Sequence, residues 1–272
     1  MRPLRRKREI VEKRKRSVPF LPNFITTMSL FCGFYSIMFS LKADFHKAAI
    51  FILIAGFIDG LDGRVARMTN TTSEFGKQYD SLSDLVAFGV APALMVYLWQ
   101  LNAFGRLGFI ATFLFVACGA LRLARFNVET SGSSTNFTGL PIPMAAAGVT
   151  STYLLTEEIA SMMGPMTILA PVAILIGVYI LSFLMVSTIG YPSFKHVNYI
   201  KAHPFQLLVA GVLLLGAVAL RPEIMLFALA MTFIVGGALW SGLMYMIQAR
   251  KEKKGVIKED THEGVAGQDN HI

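Results

Sequence analysis

From residue 20 to residue 247 the chain is dominated by apolar stretches of about 20 residues, separated by short polar or charged interruptions. A helix needs about that length to cross a hydrocarbon core. The pattern predicts spans at roughly 22–41, 47–66, 79–99, 105–124, 139–156, 166–188, 204–220 and 223–247. The expected fold is therefore an all-α integral membrane protein, a bundle of about eight transmembrane helices. Pro141 and Pro143 suit the opening of the fifth span, where a proline's missing N–H costs nothing. No internal repeat is visible, which argues against a transporter built from inverted halves.

Composition agrees with the pattern. Hydrophobic residues make up 54% of the 272 residues and charged residues 15%, against about 25% charged in a soluble domain; the mean hydropathy is +0.55. The net charge of +8 sits largely at the ends. Residues 1–16 carry nine Lys or Arg against two Glu, and Arg250, Lys251, Lys253 and Lys254 follow the last apolar run. A basic arm joined directly to an apolar span is a topology signal rather than a nucleic-acid surface, and it favours the cytoplasmic side. An even number of spans places both ends there, at a cytoplasmic (inner) membrane. Arg64, Arg67, Lys77, Arg122, Arg125, Lys195 and Lys201 then fall in or beside inner connections. The first span is too long for a cleavable signal peptide. Cys32 and Cys118 each lie inside an apolar run and give neither a disulfide framework nor a thiolate metal cluster. Residues 1–18 read as a basic cytoplasmic arm, 19–250 as the membrane domain and 251–272 as a polar tail whose composition predicts disorder. The connection 127–138, with Gly132, Ser133, Ser134 and Asn136, has a loop composition.

Chemistry enters at the inner ends of the second and third spans. Asp59 and Asp62 are three residues apart, Asp80 and Asp84 four apart, so each pair shares one helix face. Ionisable groups at such depth are costly and mark function. Two antiparallel spans joined by a short turn bring all four acids together at the membrane surface. Four neighbouring carboxylates raise one another's pKa and call for a compensating cation. Oxygen-only ligands favour Mg²⁺ or Mn²⁺ over Zn²⁺, and magnesium commonly completes its shell with substrate phosphate. Two such ions about 3.5–4 Å apart can hold an attacked phosphorus and its leaving group. Gly60, Gly63, Ala66 and Gly76 interleave the acids, allowing close helix packing, room for a nucleotide, or both. His196 and His203 lie in a late connection, away from this cluster in the sequence.

The spacing Asp59-x2-Asp62-Gly63-x2-Ala66-Arg67-x8-Gly76-x3-Asp80-x3-Asp84 resembles the complete signature of the CDP-alcohol phosphatidyltransferase family. Further likeness runs through Leu21-Pro22-Asn23, Phe31-Cys32-Gly33-Phe34, Asp80-Ser81-Leu82-Ser83-Asp84, Phe88-Gly89-Val90-Ala91-Pro92, Leu121-Arg122-Leu123-Ala124-Arg125-Phe126-Asn127 and Gly139-Leu140-Pro141-Ile142-Pro143. These segments resemble the branch of the family that uses L-serine as acceptor. The resemblance implies that Asp59, Asp62 and Asp80 hold two divalent cations, Mg²⁺ or Mn²⁺. Asp84 completes that site and serves as catalytic base, and Gly63, Ala66, Arg67 and Gly76 contact the CDP moiety. CDP-diacylglycerol is the implied donor and a homodimer the implied assembly. For the serine carboxylate, Arg122, Arg125 and Asn127 are the candidate contacts. Glycerol 3-phosphate and inositol compounds are the alternative acceptors within the family, and a cation transporter is the rival of a different class.

Overall fold

The computed structural model describes residues 20–69, 73–129, 139–164, 169–190, 209, 211–212, 216 and 219–242. The basic arm, the polar tail, most of the connection 127–138, most of the seventh expected span, Lys195, His196, Lys201 and His203 lie outside them. Seven long helices are present among the described residues: α1 (Phe20–Leu41), α2 (Phe45–Thr69), α3 (Glu74–Trp99), α4 (Arg106–Glu129), α5 (Ile142–Met163), α6 (Leu169–Val186) and α7 (Pro222–Gly242). Helices α1, α3, α4, α6 and α7 are long and apolar enough to cross a bilayer. The described residues thus bear out an all-α membrane protein but not the count of eight. Helix α2 falls short because it carries Asp59, Asp62 and Arg64, and α5 because Glu157, Glu158 and a run of Ser and Thr dilute its apolar residues. Most of residues 204–220 is not described.

Helices α1 and α2 form an antiparallel hairpin over a tight turn, in which the Lys42 and Asp44 N–H groups both donate to the Phe39 carbonyl at 3.0 Å. Asp44 accepts from the Lys47 backbone N–H at 3.2 Å and pairs with its ammonium at 2.7 Å. Those contacts to Lys47 hold the exposed Asp44 carboxyl below the usual carboxylate range. Ser73 caps α3, its Oγ accepting from the Gly76 N–H at 3.0 Å. Pro141 caps α5, and Pro143 stands in its first turn, where the sequence pattern placed a helix start.

Helix α3 is not uniform. Its first segment ends at Asp84, residues Leu85–Val90 form a π-helical turn, and Ala91–Trp99 resume the α-helix. Phe88, Ile52, Met95 and Phe115 are almost wholly enclosed and form the centre of the bundle. Outward faces are apolar: Phe24, Phe31, Phe34, Phe57, Phe109, Phe113 and Phe183 are all exposed. A soluble protein hides such side chains, whereas hydrocarbon accepts them without cost. Helix α1 inverts the usual polarity, its enclosed side including Thr26, Ser29, Ser36 and Ser40. Small polar residues at a membrane interface allow close approach and hydrogen bonding between helices.

Candidate active site

Asp59 and Asp62 stand on the C-terminal half of α2, Asp80 and Asp84 on the first segment of α3. Because the two helices follow each other across a short connection, both pairs sit at one end of the bundle. One carboxylate oxygen each from Asp59, Asp80 and Asp84 lies within 4.8 Å of the others. Asp59 and Asp84 stand close enough for each carboxylate to act on the other. The donor set is all oxygen and anionic, and the cysteines Cys32 and Cys118 are buried on α1 and α4. A hard divalent cation fits it, because its charge offsets the mutual repulsion of the crowded carboxylates.

Asp62 is placed differently from the other three. It is only 6% exposed, and its Oδ2 accepts a hydrogen bond from the Thr26 hydroxyl of α1. It stands close enough to Asp59 and Asp80 for its charge to be felt by both, yet it is not one of the three whose oxygens meet.

Around the acids, Gly60 leaves open space where a Cβ would stand. At Gly76 a Cβ would come within 3.2 Å of both Asn23 Oδ1 and Ser73 Oγ. The first glycine thus gives room and the second gives packing. Gly63 is exposed beside Asp62, whereas the Ala66 and Arg67 side chains lie outside the described residues. From α4, the Arg122 charge acts on Asp84, and its buried Nε has no protein hydrogen-bond partner. Arg125 is half-buried one turn further on. Asn127 is engaged with α3: its Nδ2 donates to Ser81 Oγ at 3.0 Å and to Gln78 Oε1 at 3.3 Å. These bonds tie the end of α4 to the first segment of α3.

Several residues at the site were not singled out by the sequence pattern. Thr26 is the main one; Asn23 and Ser83 fall in segments of family likeness that assign them no role, and Ser83 Oγ donates to the Thr26 carbonyl at 3.1 Å. Both amide atoms of Asn23 are buried without a partner. Asn23, Thr26 and Ser29 recur every three residues on one face of α1, and that spacing is the signal that could have exposed them.

The comparisons with known proteins agree with this geometry. Residues 19–179 match the model of the CDP-alcohol phosphatidyltransferase family. The chain is 40% identical over 234 residues to a CDP-diacylglycerol–serine O-phosphatidyltransferase of Helicobacter pylori, covering 85% of this chain and 95% of that protein. It is 40% identical over 183 residues to an archaetidylserine synthase of Methanothermobacter thermautotrophicus, covering 66% and 73%. A CDP-diacylglycerol–serine O-phosphatidyltransferase of Bacillus subtilis is 35% identical over 176 residues, covering 65% and 92%. The aspartate spacing, the meeting of three of those acids at one end of the bundle and these matches have one common consequence: the chain belongs to the CDP-alcohol phosphatidyltransferase family.

Proposed function

We propose that the chain transfers the phosphatidyl group of CDP-diacylglycerol to the hydroxyl of L-serine, giving phosphatidylserine and CMP. The observation that carries this reading is the meeting of Asp59, Asp80 and Asp84 oxygens within 4.8 Å, with Asp62 beside them. Relatives named for the serine reaction cover most of the chain and favour serine over glycerol 3-phosphate or inositol compounds. A cation pathway is disfavoured because at the opposite end Asp44 and Glu158 already hold cations, Lys47 at 2.7 Å and Arg221 at 2.6 Å.

In this reading Asp59, Asp62, Asp80 and Asp84 hold two divalent cations, Mg²⁺ or Mn²⁺. Those ions supply charge neutralisation for the donor's diphosphate and for CMP as it leaves. Gly63, Ala66, Arg67 and Gly76 receive the CDP moiety, and Gly60 keeps its surroundings open. Asp84 takes the proton of the serine hydroxyl as that oxygen bonds to the phosphorus bearing diacylglycerol; the bond from this phosphorus to the CMP oxygen breaks. Arg122, Arg125 and Asn127 receive the serine carboxylate from α4, and Asn127 also keeps the end of that helix against α3. The bundle is read as eight crossings, with 204–220 as the span beyond the seven described helices. Both termini and the acids then face the cytoplasm, and the protein works as a homodimer.

The test is an assay of the purified protein in lipid nanodiscs with CDP-diacylglycerol and labelled serine. Labelled phosphatidylserine and an equal amount of CMP are expected, with glycerol 3-phosphate unable to replace serine. No serine-dependent release of CMP, or a faster reaction with glycerol 3-phosphate, overturns the acceptor assignment.

A further inference from the structure

Thr26 lies on α1, outside the eight positions of the aspartate signature, yet its side chain and its carbonyl reach the two helices that carry the acids. Its hydroxyl donates to Asp62 Oδ2 on α2, while its carbonyl accepts from Ser83 Oγ on α3, one residue before Asp84, at 3.1 Å. Thr26 is 3% exposed and Ser83 is 1% exposed, so water does not substitute for either contact. The hydroxyl has a second acceptor, the Pro22 carbonyl at 3.1 Å, but only one proton to give. An ionised carboxylate is the stronger acceptor, so with Asp62 charged the proton points to Asp62. That bond occupies Oδ2 and fixes the rotation of the carboxylate, which decides where its other oxygen is aimed.

We infer that Thr26 is a positioning residue for the metal site: it orients Asp62 through its hydroxyl and ties the Asp84 end of the first segment of α3 to the same point through its carbonyl. The inference rests on the metal-site reading above. Partners of this kind, bonded to a ligand and not to the metal, commonly change metal affinity by about 10–100-fold. The neighbouring Ser29 provides a contrast. Its Oγ donates to the Ala55 carbonyl at 3.2 Å, so it joins the same pair of helices, α1 and α2, without touching an acid.

The experiment is titration of Mn²⁺ into the purified full chain in nanodiscs, without substrates, with free Mn²⁺ read by electron paramagnetic resonance. Thr26→Val keeps the shape and removes the donor, and it is expected to weaken Mn²⁺ binding about 10–100-fold. Thr26→Ser keeps the donor and should stay within about threefold of wild type, a small part of that range. Ser29→Ala should match wild type. In an Asp62→Asn background, Thr26→Val should add nothing further. Wild-type affinity in Thr26→Val, or equal weakening in Thr26→Ser and Ser29→Ala, overturns the inference. Should Thr26→Val not fold, Thr26→Ala takes the same readout; failure of both to fold also counts against a positioning role. If the wild-type chain itself binds no Mn²⁺, the metal-site reading fails. If it does bind, Asp59→Asn weakens it and Thr26→Val does not, only this inference falls.

Discussion

The proposed mechanism gives the four acids separable duties, and single substitutions should separate them. Asp84→Asn keeps the size of the side chain but cannot accept the serine proton. The expected outcome is near-normal CDP-diacylglycerol binding with turnover down by about 10²–10⁴-fold, the usual contribution of a general base; normal turnover would remove Asp84 from that role. Asp62→Ala is expected to abolish metal-dependent nucleotide binding, and an unchanged metal titration would contradict it. For Arg122→Gln the prediction is a rise of about tenfold or more in the apparent KM for serine, since a hydrogen bond to a charged group contributes about 1.5–3 kcal/mol. A KM left intact would return Arg122 to the role of a helix-end charge. The acids were legible in the sequence because paired carboxylates, three and four residues apart in apolar helices, are too costly at that depth to stand there without a function. Thr26 was less so: its spacing with Asn23 and Ser29 marks a polar face of α1, and its contact with Asp62 gives that face a role at the site. Asn127 was legible as a polar residue near the site, whereas its attachment to Ser81 and Gln78 was not.

Among the elements, α3 departs furthest from what a hydropathy pattern can reveal. A π turn adds a residue to the helical repeat, so the helix before Leu85, which carries Asp80 and Asp84, faces a direction set independently of the segment after Val90. Composition does not encode that turn, since Leu85–Val90 reads as ordinary apolar helix. The turn packs against α1, α4 and α5, most tightly at one point on α1. A Cβ on Gly33 would lie 2.6 Å from the Ala87 Cα and 2.8 Å from its Cβ, and the backbone atom cannot move aside alone. Gly33→Ala is therefore expected to destabilise the bundle by about 1–3 kcal/mol, the range for overpacking a close contact. Thermal unfolding of the purified protein in micelles reads this directly, and a melting curve like that of wild type would show the contact to be soft. Five helices announce themselves by length and apolarity. The other two, α2 and α5, carry the acids and the Ser/Thr run that lower their hydropathy, so the helix most important to the site is among the least membrane-like in composition.

At the scale of the molecule, the acids gather at one end of the bundle, and the metal dependence expected of them is a property of the whole site. Removing divalent ions with a chelator should stop serine transfer. Mg²⁺ or Mn²⁺ should restore it and Zn²⁺ should not, given the hard oxygen ligands; full activity in excess chelator would sink the reading. Apolar length made the membrane class legible, while the number of crossings depends on polar helices and on residues 204–220. Placing the acids at a single end also has an effect outside the protein. In the proposed reaction donor lipid, serine and CMP all use that face, so nothing in it carries a headgroup through the hydrocarbon. On that proposal the new phospholipid is laid down in one leaflet, and populating the other requires a separate flipping step. In vesicles holding the protein in one orientation, an impermeant amine reagent should label fresh product from one side alone; equal labelling from both sides at early times would refute such one-sided delivery.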